Sequence, residues 1–229
     1  MVANNDTLNF TEKKVMSNAA RFEMQKMKQE LSAVSELVNL GETKNSLVQL
    51  ISQMSSMVFI DELTGMGNRK YLLKRLKKEF EYAVKNYKEL SIICLNIDNF
   101  KTCNEIEGYS FGDVILSQIG QLLGQPVSSV YELSRQRNPV IRSVADDFVL
   151  LLPETSLNAA RMTAERLRKK IEENIFKFKG VPISLHLTVS AGIAVIDKKT
   201  NDENELLEKA YKALSFSKQE GKNCITISP

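Results

Sequence analysis

From residue 61 onward, short runs rich in β-branched residues take turns with longer stretches that carry an apolar stripe at helical spacing. "LSIICLNI", "DFVLLL", "ISLHLTVSAGIAVI" and "CITI" read as strands. "RKYLLKRLKKEFEYAVKNY", "FGDVILSQIGQLLG", "SLNAARMTAERLRKKIEENI" and "ENELLEKAYKALSFSKQEGKN" read as amphipathic helices. The punctuation agrees: "DELTGMGN" is a turn-rich joint, Ser156 is placed to cap a helix, and Gly124, Pro153 and Gly221 end elements. Such an order folds as α/β with one mixed sheet. A hydrophobic share of 43% is enough to fill its core.

Residues 1–60 follow another rule. Between residues 12 and 60 there is no proline, and Gly41 is the lone glycine. Met24, Met27, Leu31, Val34 and Val38 form one helical stripe; Leu37, Leu40, Leu47, Ile51, Met54 and Val58 form a second, interrupted by Lys44. They meet at "NLGETK", where Gly41 can end a helix and Thr43 can start one. A hairpin of two helices and one long helix with a register shift both satisfy the pattern. So long a stripe needs a partner, so a dimerising coiled coil or signalling helix is expected over 1–60, ahead of an α/β domain over 61–229, with a helix packed on its own domain as the alternative.

Several function classes are excluded. A net charge of +3 lacks the basic excess of a dedicated nucleic-acid binder. No apolar run approaches a membrane span, and "MVANNDTLNFTEKK" has no signal core, so a cytoplasmic protein without membrane insertion is expected. Cys94, Cys103 and Cys224 have no metal-ligand spacing and suit reduced thiols.

Chemistry concentrates in "NIDNFKTCNEIEGYSFGD" (96–113), "SVADDF" (143–148) and "SKQEGKN" (217–223), which fall at or just past strand ends. Each mixes carboxylates, amides, lysines and glycines, an inventory suited to a nucleotide with a divalent cation. With "DELTGMGNRKYL" before them and "LTVSAGIAV" between, these stretches resemble the ordered motifs of the GGDEF domain, the diguanylate cyclase family. The resemblance covers nearly all of the chain beyond residue 60. It implies a ferredoxin-like mixed sheet of nucleotidyl cyclase type with surrounding helices. It also implies two facing subunits, each with one GTP, joined into cyclic di-GMP by attack of a 3'-hydroxyl on an α-phosphate.

Carried over position by position, the resemblance implies that Asn104 and Asp113 read the guanine edge. Lys101, Lys218 and Lys222 match or replace basic residues near the phosphates, with Lys218 in the catalytic set. Asp146 and the Ile97 carbonyl match metal ligands, and Asp147 matches the following acid, here a vestigial catalytic position. The departures are specific. Asn96 stands where the family has a metal-binding aspartate, and a neutral amide is a weaker Mg²⁺ ligand. Val144 and Ala145 replace the two signature glycines, Tyr109 a histidine and Glu105 an aspartate, while Tyr211 and Ser215 replace an aspartate and a tyrosine. The family's inhibitory RxxD site survives as Arg135 and Asn138, without its anion.

The expectation is therefore a degenerate GGDEF protein without cyclase activity, acting as a dimeric protein-interaction module or GTP sensor. Homodimerisation through the N-terminal helices and an unidentified protein partner belong to this reading, with Mg²⁺ only where nucleotide is bound. A weak diguanylate cyclase, and a cyclic di-GMP receptor using Arg135, are the alternatives. Outside the site, Asp61 and Arg69 read as a structural ion pair fixing the joint to its helix, Asp98 and Lys101 as cap and pair on the short helix after the strand, and His186 as a packed mid-strand residue.

Overall fold

The computed structural model describes residues 58–124, 139–182 and 186–229, with helical positions 26, 29, 30 and 32 near the N-terminus. The expected stripes before residue 58 and the Arg135–Asn138 pair lie outside the described residues.

Helix α1 spans Arg69–Asn86 and leads into β1, Leu90–Ile97. Two helices follow, α2 (Phe100–Glu107) and α3 (Tyr109–Leu123), broken apart by Gly108 at φ 87. After them come β2 (Val140–Val144), β3 (Asp147–Pro153) and α4 (Leu157–Glu172). The two-residue strands β4 (Lys177–Phe178) and β5 (Val181–Pro182) pair with each other, and β6 (Val189–Val195), α5 (Glu203–Gln219) and β7 (Ile225–Ile227) complete the order. The main sheet runs β2-β3-β1-β6-β7. All its pairings are antiparallel except β6 with β7, so it is a ferredoxin-like mixed sheet with surrounding helices.

Alternation along the strands builds two cores. Ile93, Leu95, Phe148, Leu150 and Ile193 face α3 and α4. Ile92, Cys94, Val149, Leu151 and Ala194 face α1 and α5. Each fully buried aliphatic side chain contributes about 1.5–3 kcal/mol, and Ile92, Ile93 and Leu151 are wholly inaccessible. Close approach of α5 to β6 depends on Gly192, where a Cβ would stand 2.1 Å from the Leu214 nitrogen and 2.2 Å from the Ala210 carbonyl oxygen. Three helix starts are capped by side chains, Ser156 among them as the sequence suggests. Asn68 accepts from the Tyr71 N–H, Ser156 from Ala159 and Asp202 from Glu205.

The expected long strand over "ISLHLTVSAGIAVI" is shorter in the structure. Gly180, at φ 79, turns the chain so that β5 folds back on β4, and the sheet strand begins only at Val189. His186 consequently lies ahead of β6, exposed, and not packed within a strand. Among the described residues no helix is long and apolar enough to cross a membrane.

Candidate functional site

The β2–β3 hairpin turns through Ala145 and Asp146, between the paired residues Val144 and Asp147. Ala145 takes φ 48, a left-handed conformation that a glycine adopts freely and that costs an L-residue about 1–2 kcal/mol. The turn is pinned from inside: the Arg142 Nε–H donates to the Ala145 carbonyl at 2.8 Å. Arg142 also donates to both carboxylate oxygens of Asp61, at 3.1 and 3.2 Å. Asp61 in turn accepts from the Thr64 N–H and hydroxyl. The ion pair foreseen for Asp61 is therefore made with Arg142, while Arg69 reaches the Ser143 hydroxyl at 3.4 Å. The reason is register: Gly67 bridges Ile141, which brings the joint alongside β2. Val144 is half exposed and, with Val58, Arg69 and Arg142, lines an open cleft of about 720 Å³ beside the hairpin.

Antiparallel pairing sets Asn96 of β1 directly opposite Asp147 of β3. Opposed residues share one face of the sheet, and the Asn96 Nδ2–H donates to Asp147 Oδ1 at 2.6 Å. Burial pushes the Asp147 carboxyl above its ordinary range; the Asn96 hydrogen bond opposes this, and the neighbouring Asp146 charge adds to it. Burial likewise raises Asp146, against backbone hydrogen bonding and the Lys218 charge.

Lys218 projects from α5 into this region. Its ammonium donates to Asp98 Oδ1 at 2.8 Å, to the Ile97 carbonyl at 3.1 Å and to the Asn96 carbonyl at 3.4 Å. Asp98 is almost fully buried and accepts from the hydroxyls of Thr188 and Ser190, both at 2.7 Å, and from the Asn223 N–H at 3.0 Å. Burial alone would raise this carboxyl, but the hydrogen bonds from Lys218, Ser190 and Thr188 and the Lys218 charge hold it below its usual value. Asp98 was expected to cap α2. Instead the cap position is Asn99, in left-handed conformation without a side-chain cap bond, and Asp98 ties strand ends to the loop after α5.

Of the residues that the resemblance assigns to nucleotide, Lys101, Asn104 and Asp113 lie on α2 and α3, and Lys222 lies in the loop after α5. Asn104 packs over Gly112, where a Cβ would meet its Oδ1 at 1.9 Å. That oxygen is buried against Gly112 without a hydrogen-bond partner among the described residues. Asp113 is exposed on α3. Lys101 is exposed and only loosely paired with Glu105, at 3.8 Å. Lys222 is exposed and donates to the Asn99 side chain.

The protein donor set for a divalent cation is reduced to two carboxylates, so a cation here would depend on nucleotide phosphates for further oxygen ligands. Asp146 and Asp147 supply anionic oxygen, but the third position presents an amide N–H already bonded to Asp147, and the Ile97 carbonyl faces the Lys218 ammonium. Among the described residues no three His, Cys, Asp or Glu side chains gather into a metal-ligand group.

The sequence reading gives Thr188, Ser190 and Asn223 no role and Asp98 only a capping one. The signal available was Thr188 and Ser190 two apart on one strand, with both hydroxyls on one face.

The family profile described as "Diguanylate cyclase, GGDEF domain" matches residues 58–224. Diguanylate cyclase A of Treponema denticola is 29% identical over 181 residues, covering 77% of this chain and 46% of that protein. Diguanylate cyclase DgcP of Pseudomonas aeruginosa is 32% identical over 199 residues, covering 86% of this chain and 28% of that protein. The chain thus spans less than half the length of these relatives. Among solved structures, the coiled coil and GGDEF domain of DgcB from Caulobacter crescentus in complex with c-di-GMP superposes with a TM-score of 0.69 at 20% identity, covering 92% of this chain and 100% of that one. The diguanylate cyclase SiaD of Pseudomonas aeruginosa, in complex with its activator SiaC, gives a TM-score of 0.67 at 23% identity, over 96% of this chain and 79% of that one.

Proposed function

The chain belongs to the diguanylate cyclase GGDEF-domain family, and within it we propose that it is a degenerate member: a dimeric protein-interaction module or GTP sensor in cyclic di-GMP signalling, without cyclase activity. One observation carries this reading. At the strand-end position where the family pattern has a metal-binding aspartate, the Asn96 amide is bonded at 2.6 Å to Asp147. Attack of a ribose hydroxyl on an α-phosphate needs charge neutralisation beside the acids. Here the amide offers a donor where an anion is required.

The guanine side supports retained binding. Asn104 packs on Gly112, next in the chain to Asp113, whose carboxylate is open to a ligand. In this reading residues 1–60 form the dimerising helical segment and residues 61–229 the degenerate GGDEF domain. The likeness to a structure that carries a coiled coil, and to a cyclase bound by an activator protein, supports the search for a protein partner.

The test is turnover and binding on the same preparation. GTP is incubated with the protein in Mg²⁺ and then Mn²⁺, and products are separated by chromatography. GTP recovered intact, with saturable binding by calorimetry, is expected. Cyclic di-GMP above a mock preparation would overturn the reading in favour of a weak cyclase, which the retained Asp146, Asp147 and Lys218 make the second reading.

A further inference from the structure

The loop that joins α5 to β7 is strained in a particular way. Gly221, Lys222 and Asn223 take φ values of 109, 66 and 47 in succession. A lysine in the left-handed region is costly, and such a conformation persists only where its surroundings over-determine it. Two clamps do so. From the inside, Asp98 accepts the Asn223 N–H at 3.0 Å, and the Lys222 N–H bonds the Ser217 carbonyl at 3.0 Å. From the outside, the Asn223 side chain is gripped by α4: its oxygen accepts from Arg168 at 2.6 Å and its amide donates to Glu172 at 2.8 Å. Arg168 is itself held by Glu165 and Glu172, both at 2.8 Å, and its side chain is 11% exposed.

The path is continuous. Arg168 and Glu172 fix Asn223, Asn223 fixes one oxygen of Asp98, and the other oxygen of Asp98 holds Lys218. The same loop aims Lys222 toward Asn99 at the start of α2. Both lysines are those that the family resemblance sets near the phosphates.

We propose that Arg168 and Glu172 of α4 are positioning residues, which act through Asn223 to hold Lys218 and Lys222 where the phosphates of a guanine nucleotide are received. The proposal rests on the reading that the site binds guanine nucleotide. Neither residue touches the ligand. Arg168 keeps the strained loop in one conformation, so the ammonium groups are pre-organised and no ordering cost falls on binding.

The experiment uses the full chain with Arg168→Gln and, separately, Asn223→Gly, which keeps the left-handed backbone and the N–H to Asp98 but removes the grip of α4. Calorimetry compares GTP with guanosine, which has the base but no phosphate. The expected result is a loss of about tenfold in GTP affinity, the scale of one charged hydrogen bond, with guanosine affinity unchanged. Equal loss for both ligands, or no loss for either, overturns the proposal. If the wild type binds neither ligand, the nucleotide reading has failed, and hydrogen exchange then decides the clamp. Amides of residues 221–224 exchanging faster in Arg168→Gln, with the β1 amides unchanged, supports it; identical exchange overturns it.

Discussion

Replacing Asn96 with aspartate tests the site at its most altered point. In the wild type one amide hydrogen sits 2.6 Å from Asp147. Asn96→Asp removes a hydrogen bond to a charged group, worth about 1.5–3 kcal/mol. It also sets two carboxylates face to face. At roughly 3 Å and an effective dielectric of about 20, full ionisation of both would cost on the order of 5 kcal/mol. Proton uptake limits that cost, because one of the two acids will stay neutral instead. A net loss of about 3 kcal/mol at pH 7 is therefore expected, equivalent to a fall in Tm of roughly 6–12 °C for a chain of this size. Two further dependences identify the cause. Mn²⁺ should return most of the lost stability to the variant and little to the wild type, because only the variant offers three anionic side chains. Acid should narrow the gap as well. Asp146 and Asp147 already have raised native pKa values, so the native state takes up protons more readily than the unfolded chain. Their stabilising contribution is present below the unfolded carboxylate pKa of about 3.9 and is lost as pH rises through the raised native values. The variant, with one more acid, should show a steeper version of the same trend. The assay is urea unfolding followed by circular dichroism at pH 7 and pH 5, with and without Mn²⁺. A variant as stable as the wild type at pH 7 without metal would refute the reasoning, as would Mn²⁺ stabilising both chains equally.

Three other substitutions have definite expected signs. Ala145→Gly relieves the left-handed turn at φ 48 and should stabilise by about 0.5–1 kcal/mol after the entropy of glycine is set against it; loss of stability in chemical unfolding would mean the turn is not strained. Gly192→Ala drives a methyl into the α5 backbone and should cost at least about 3 kcal/mol, so a variant with wild-type Tm would contradict the close packing of α5 on β6. The Tyr211 hydroxyl is buried beside Ser143 without a well-formed hydrogen bond among the described residues, and burial pushes its pKa up to about 12. Tyr211→Phe should accordingly stabilise by about 1 kcal/mol, and a loss of that size would show that the hydroxyl is bonded after all.

Much of this architecture could be read from the sequence because its signals are local. The stripe in "RKYLLKRLKKEFEYAVKN" and the β-branched run in "LSIICLNI" each specify an element without reference to the rest of the chain. The motifs also anticipated one convergence, for Asn96, Asp147 and Lys218 lie together. What escaped depends on contacts between residues far apart in sequence. Arg142 rather than Arg69 pairs with Asp61 because the joint bridges onto β2, a fact of strand order. Asp98 looked like a cap because an aspartate just before a helix usually is one. Its actual partners, Thr188, Ser190, Lys218 and Asn223, come from a strand, a helix and a loop roughly ninety or more positions away. His186 reads as mid-strand because apolar and β-branched residues flank it, but the sheet strand begins only at Val189.

The pattern of what is kept and what is changed follows from this division of labour. Arg142, Asp98, Ser190 and Gly192 agree with the motif, and each is engaged by another part of the fold: an ion pair, a buried hydrogen-bond network or a helix packed at backbone distance. Loss of any one leaves a buried group unpaired or a helix without room, a cost comparable to much of a domain's net stability. Asn96, Val144 and Ala145 depart from the motif, and each is accommodated where it stands. Asn96 is satisfied by one bond to Asp147, Val144 is half exposed and Ala145 sits at a solvent-facing turn. A member of the family that no longer needs to join two nucleotides can vary at such positions while its sheet, helices and lysine-bearing loop stay intact. The substitutions then fall at positions the rest of the fold holds least tightly, which is how the sheet, helices and lysine-bearing loop stay intact around them.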